Sequence, residues 1–293
     1  MIAAVLSAVL PVMLVVLIGF GWAKRGNSMD SASLTPFITN ISVPCLAFHS
    51  LATMHVPMAS LGATALAAAI LLTVTLALAA GALKLAKLRL RTYLPALSFP
   101  NAGNLGLSLS LSAFGQPGLT YAMISFVIFS IANNTLGRSI AAGEGNWLTA
   151  LKAPIVPAIA LGVASAAFGV APPEWIMKSL EMIGSLGVPL MLVMLGASLA
   201  TIQLRSFRRG FVLSLARLFG GAAIGFAVAT AFGFVGPQRA TLVLQSAMPA
   251  AVINYMYAQL WKSEPDEVAS VVVISTLLSI GTTPLLLALL LRL

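Results

Sequence analysis

Ten stretches of about 20 predominantly apolar residues, separated by short polar connections, run through this chain: roughly 2–23, 33–53, 59–82, 92–114, 119–140, 151–170, 176–200, 209–233, 239–261 and 267–291. A helix rising 1.5 Å per residue needs about 20 such residues to cross the hydrocarbon core of a bilayer. The pattern therefore predicts an all-α integral membrane protein with ten transmembrane helices. Only 8% of the residues are charged, against roughly 25% in an ordinary soluble domain, too few to cover a soluble fold of 293 residues. The lipid bilayer is the expected solvent and partner.

A net charge of +9 would suggest nucleic acid in a soluble chain, but the placement of the charges argues otherwise. They lie almost wholly between the apolar runs, where Lys and Arg mark cytoplasmic loops. With Met1 outside, twelve basic residues fall on inner segments: Lys24, Arg25, Lys84, Lys87, Arg89, Arg91, Arg138, Lys152, Arg205, Arg208, Arg209 and Lys262. Lys178, Arg239 and Arg292 fall outside, and Arg217 lies within the eighth run. Both termini are expected on the outer side. The first run, Met1 to Trp22, has no basic residue before it and is too long for a signal-peptide core, so it is expected to stay as a span. Cys45 has no partner for an internal disulfide and reads as a small buried residue.

The halves of the chain resemble each other weakly. Ser98 to Ala102 (SFPNA) matches Ala247 to Ala251 (AMPAA) at a separation of 149 residues, and Ser130-Ile131 matches Ser279-Ile280 at the same separation. Val43-Pro44 and Val188-Pro189 correspond at a separation of 145. Five spans per half is an odd number, so the two units must enter the membrane from opposite sides, which makes residues 1–145 and 146–293 two inverted five-helix repeats.

The fourth and ninth spans carry the residues best suited to chemistry. Pro100, followed by Gly103 and Gly106, and Pro249 at the matching depth should break both helices near the middle of the membrane. Bare backbone there is tolerable only against protein or a polar cavity. Two facing breaks would offer the free amides and positive ends of the resumed half-helices to a carboxylate. Ser98, Asn101, Asn104, Gln245 and Asn254 add uncharged polar groups, and Asn133 and Asn134 in span five, across from Thr282 and Thr283 in span ten, either line the same site or bridge helices.

The stretch Phe99-Pro100-Asn101-Ala102-Gly103-Asn104-Leu105-Gly106-Leu107-Ser108-Leu109 resembles the fourth-span motif of the auxin efflux carrier family. The stretch from Ala247-Met248-Pro249 through Ser275–Ser279 to Pro284-Leu285 resembles that family's last two spans. The resemblance implies crossed, broken fourth and ninth helices, a scaffold from spans 1, 2, 6 and 7, a mobile transport unit from spans 3–5 and 8–10, and commonly a homodimer. It places the motif asparagine on Asn101 and the crossover prolines on Pro100 and Pro249. Ser108 stands where the family pattern usually has proline, and the short connection from Ala141 to Lys152 replaces the long central loop of plant members, so the chain resembles the compact type of a bacterial inner membrane.

All seven acids, Asp30, Glu144, Glu174, Glu181, Glu264, Asp266 and Glu267, fall in or near expected loops, which leaves no central carboxylate for proton or sodium coupling. Arg217 reads either as a cation attracting an anion or as a side chain bonded to carbonyls or reaching for the cytoplasmic surface. His49 reads either as a proton relay or as a hydrogen-bond donor between helices. With one cysteine and two histidines, His49 and His55, neither a nucleophile with its base nor a metal cluster can be assembled, so no enzyme, metal or cofactor is expected. The expected function is a secondary carrier of small organic anions, exporting by alternating access under the membrane potential. The alternatives are a sodium-coupled importer of bile-acid-carrier architecture and a membrane sensor.

Overall fold

The structure is a computed structural model that describes residues 2–27, 34, 36–53, 57–142, 154–170, 172–201 and 207–291. Asp30, His55, Glu144, Lys152, Arg205 and Arg292 lie outside these residues. Among the described residues the secondary structure is helical, with one isolated antiparallel bridge between Pro100 and Ala250.

Helix α1 spans Ile2–Lys24. A π-helical turn, Ile38–Ser42, runs directly into α2, Val43–Ala52, and α3 covers Met58–Leu85 after an extended Pro57. In lipid the hydroxyls of an apolar helix need partners, and Thr64, Thr73 and Thr75 of α3 donate to the carbonyls of Ser60, Ala69 and Leu71 four residues back, at 2.7–2.8 Å. Helix α4 is short, Leu90–Ser98. The chain resumes in a π-helical stretch, Ala102–Leu107, continued by α5, Ser108–Ala132, and then by a second π-helical stretch, Asn133–Gly137, and α6, Arg138–Ala142.

That last run would be an impossible single rod of 41 residues, Ala102–Ala142, but Gly115 adopts φ 64°, ψ −156° in its middle. The chain folds back there: the Phe126 ring lies against Gly103, and Gly118 packs on the Ser110 carbonyl. Only glycine tolerates that backbone conformation without strain. The reversal falls between the fourth and fifth apolar runs of the sequence.

Helix α7 covers Ile155–Phe168 and ends on left-handed Gly169 (φ 65°), with the Val170 amide donating to the Ser165 carbonyl at 3.0 Å. Helices α8, Glu174–Thr201, and α9, Phe207–Ala231, are long. Helix α10, Gly236–Ser246, and α11, Val252–Leu260, are two short pieces flanking Pro249, and α12, Pro265–Leu290, closes the chain.

Among the described residues, five helical stretches are long and apolar enough to cross a membrane: Ala59–Leu85, Ala102–Ala142, Glu174–Ala197, Phe207–Ala231 and Pro265–Leu290. Several of the expected spans are broken or short. Two of the expected spans are interrupted, α4 from its continuation and α10 from α11. Helix α7, Ile155–Phe168, is also short, at 14 residues.

Helix packing follows small residues. A side chain at Gly19 of α1 would collide with the Val193 carbonyl of α8, and one at Gly196 of α8 with the Val16 carbonyl of α1, so the two backbones touch. Gly184 and Gly187 seat α8 against Leu46 and Ser42, and the Ser42 hydroxyl donates to the Ile183 carbonyl at 2.7 Å. Gly162 of α7 rests on Phe48 and Leu51 of α2. Helices α1, α2, α7 and α8 thus pack against one another, and the broken helices sit with α3, α5, α9 and α12 in a second cluster around Leu105, Leu242 and Met248, a core that Val12 and Val16 of α1 and Leu192 and Leu195 of α8 also enter.

Gly196→Val should separate α1 from α8 and lower stability by at least the ~1–3 kcal/mol typical of overpacking. Gly81→Ala on α3, where nothing lies within 4 Å of the added methyl, should leave stability unchanged or raise it by up to ~1 kcal/mol. Thermal unfolding of the two variants in detergent checks the contrast.

Candidate functional site

The break after α4 begins with local sterics. A residue before proline is pushed out of the helical region, and Phe99, before Pro100, is extended at φ −102°, ψ 108°. Pro100 has no amide to continue the ladder. Around Pro249 the same logic ends α10 at Ser246 and restarts the chain at Val252.

The two exposed segments pair with each other. The Asn101 amide donates to the Pro249 carbonyl at 2.7 Å and the Ala251 amide to the Phe99 carbonyl at 3.2 Å. This two-bond antiparallel ladder is the bridge between Pro100 and Ala250. The Ala250 amide donates to Ser275 Oγ of α12 at 3.1 Å, and Asn254 Nδ2 donates to the Phe99 carbonyl at 3.2 Å.

The carbonyls at the ends of α4 and α10 have one shared partner. Arg217, 3% exposed in the middle of α9, donates from Nη1 to Leu97 O (2.9 Å), from Nη2 to Ser246 O (2.7 Å) and from Nε to Met248 O (3.2 Å). A helix leaves its last carbonyls without amides and concentrates partial negative charge there. A planar guanidinium with a fork of donors satisfies two such ends at once, as a lysine could not. Gly221, one turn along α9, lets this contact form, because a side chain there would strike the Ser246 carbonyl. Of the two sequence readings of Arg217, the structure has the carbonyl-bonding one.

The opposite ends of the breaks are left open. The amides that begin the Ala102–Leu107 stretch have no carbonyl behind them within the helix; the first one that finds a partner there is Gly106, on Asn101 O at 3.1 Å. Ala102, Gly103 and Asn104 of this stretch and Val252 and Ile253 at the start of α11 line a cavity of about 530 Å³. Asn101, Gly103, Asn104, Asn133, Asn134 and Arg138 form much of its polar wall, and Val252 and Ile253 complete the broken-helix side. The facing wall comes from the first cluster of helices: Ile38, Asn40 and Val43 beside α2, Pro154 and Ile155 at the start of α7, and Met191, Met194 and Leu195 of α8. The cavity therefore lies between the two clusters.

Among the sequence candidates, Pro100, Asn101, Gly103, Asn104, Asn133 and Asn134 line this cavity. Asn101 Nδ2 and Asn133 Oδ1 are buried without a protein partner. Asn134 is engaged, donating to the Ser130 carbonyl at 2.9 Å and accepting from Tyr257 Oη at 2.9 Å, which ties the α5 leg to α11. Thr282 and Thr283, set across from this pair on the sequence, instead border a smaller apolar groove with Leu218 and Phe219.

Pro249, within the ladder, and Ser98, Gln245 and Asn254, buried beside it, do not line the cavity. Gln245, wholly buried, packs on Gly106 with both ends of its amide unpartnered, and Ser98 Oγ and Asn254 Oδ1 are likewise buried and unpartnered. His49 is also remote from the cavity, with Nε2 4.0 Å from the exposed Glu181 carboxylate. Ser108, at the position of the family's usual proline, bonds back to Asn104 O at 2.6 Å. Among the described residues no three His, Cys, Asp or Glu side chains are grouped to hold a metal.

Sequence reasoning missed Asn40 and Arg138. Arg138 reads as one more basic residue of an inner loop, but it lies four residues after Asn134 on one helical run, so the helical period alone puts it near that side chain.

Comparison with known proteins follows this geometry. A family model described as membrane transport protein, that of the auxin efflux carriers, matches residues 4–146 and 138–287, and the chain belongs to that family. An uncharacterized transporter of Methanocaldococcus jannaschii is 28% identical over 191 residues, 61% of this chain and 62% of the relative. The match thus spans somewhat under two thirds of that relative's length. Family and relative alike point to a multi-pass membrane transporter and not to an enzyme.

Arg217→Leu would orphan three buried carbonyls at about 1–3 kcal/mol each, so it should lower stability by more than ~3 kcal/mol. Arg217→Lys should recover only part of that. Thermal unfolding of both variants in detergent measures the difference.

Proposed function

We propose that this member of the membrane transport protein family is a secondary carrier that moves small organic anions, carboxylates above all, by alternating access. The observation that carries the reading is the cavity bordered by two helix starts, with the buried Asn101 Nδ2 unpartnered beside them. Unbonded amides at helix N-termini, a neutral donor and a nearby guanidinium recognise a carboxylate without needing a counter-ion.

In this reading the ten apolar runs are ten crossings arranged as two inverted five-helix repeats, with the fourth and ninth helices crossing at the proline breaks. Helices α1, α2, α7 and α8 form the scaffold, and the remaining helices form the unit that moves. The placement of the cavity between the two clusters supports this division, since relative motion of its walls would open it to one side at a time. The carrier works as a homodimer in a bacterial inner membrane with both termini outside, as the loop charges favour.

That orientation puts the start of α7 and the segment before α2 near the cytoplasmic face, so in this reading the cavity lies toward the inner side. An anion entering from the cytoplasm leaves down the electrical gradient. A potential of 100 mV, negative inside, is worth about 2.3 kcal/mol per charge, which sustains roughly a 50-fold outward ratio with no coupling ion.

Asn101→Ala removes a side-chain donor that has no protein partner while leaving the backbone bond to Pro249. It should abolish flux of radiolabelled organic acids in proteoliposomes with little change in melting temperature. Flux at the level of the unaltered protein would remove the site assignment.

A further inference from the structure

Arg138 is the one cation on the cavity wall, among the described residues. It follows Gly137, where an added Cβ would collide with the Phe99 ring beside the first helix break, so the chain carrying Arg138 passes close to that break. Its side chain is exposed, and the guanidinium carbon lies 5.5 Å from the centre of the Trp261 ring. Trp261 caps α11, whose first residues also line the cavity, and its carbonyl is held by Arg91 Nη2 at 3.0 Å.

No carboxylate among the described residues comes within ion-pairing distance of Arg138. Glu264 is taken by Arg89 at 2.6 Å and by Thr92, Glu267 by Tyr93 and Arg209, Glu174 by Lys178, and Glu181 faces His49; Asp266 has a partner of its own. A guanidinium stacked on one ring still has most of its donor fork free. Here that fork borders a cavity whose other polar groups are amides and neutral side chains, and Asn133 Oδ1 beside it is buried without a donor. Among the described residues nothing on the wall neutralises the charge, which leaves the guanidinium available to a ligand.

We infer that Arg138 is the charge-selecting residue of the transport cavity, pairing through its guanidinium with an anionic group of the substrate. The inference rests on the anion-carrier reading above and adds to it a residue that decides between an acid and its neutral analogue. Helix starts and Asn101 accept any oxygen acceptor, an amide carbonyl as well as a carboxylate. A guanidinium favours the ionised group, because charge-assisted bonds are roughly twice as strong as neutral ones and a carboxylate can engage two donors together. A residue serving only as a cytoplasmic-surface anchor would affect insertion and topology and leave that discrimination untouched.

The test is a binding comparison on the purified protein in detergent, with succinate and benzoate as probes and succinamide and benzamide as their neutral counterparts. The unaltered protein should bind at least one acid about tenfold or more tightly than its amide. Arg138→Gln should bring that ratio within about threefold while binding the amide as before. Should the glutamine variant fail to give a melting transition, Arg138→Lys decides: loss of the two-point contact should weaken the acid at least threefold and the amide not at all. An acid-to-amide ratio unchanged in Arg138→Gln, or unchanged acid affinity in Arg138→Lys, overturns the inference and leaves the carrier reading standing. Failure of the unaltered protein to bind either acid overturns both.

Discussion

In hydrocarbon every backbone amide and carbonyl needs a partner inside the protein, and the two proline breaks expose such groups in the interior of this molecule. Arg217 is what makes the breaks tolerable. Its three bonds to Leu97, Ser246 and Met248 hold the carbonyl ends of both interrupted helices, while the short ladder between Phe99–Asn101 and Pro249–Ala251 takes up the extended backbone. Charge, direction and fork geometry agree, since a cation belongs at helix C-termini.

The arrangement is asymmetric in a way that bears on function. Acceptors are satisfied from within, on the side buried against α9, whereas the residues at the restarts of the chain line the cavity. A site built this way has a surplus of hydrogen-bond donors and positive potential, which suits an anion and offers little to a cation. Glycines keep the geometry compact: Gly106 admits Gln245, Gly221 admits the Ser246 carbonyl, and Gly115 turns the α5 leg back so that Asn133 and Asn134 reach the level of Asn101.

Much of this was legible from residues alone, because apolar run length and proline position act locally. The helix breaks at Pro100 and Pro249 follow from a missing amide and from the restriction on the residue before proline, and Asn101 and Asn104 lie beside them by sequence adjacency. Contacts between distant segments were not legible. The bonds of Arg217 to residues 120, 29 and 31 positions away depend on how α9 packs, so its chemistry stayed open between an anion-attracting role and a carbonyl-bonding one. Gln245 and Asn254 share the neighbourhood of the break but are buried beside the ladder and do not line the cavity, a matter of rotation about the helix axis that spacing from Pro249 does not fix. Arg138 was hidden by its charge, which assigned it to a loop although it continues the helix of Asn133 and Asn134.

The central claim is that a carboxylate rests on the unbonded amides where the broken helices restart. A cryo-EM map of the protein with a transported acid tests it most directly. The account predicts density for the carboxylate against Asn101 and the amides of Ala102 to Asn104, with the start of α11 close by. Density for the acid elsewhere, with this cavity empty or filled only by solvent, would contradict it.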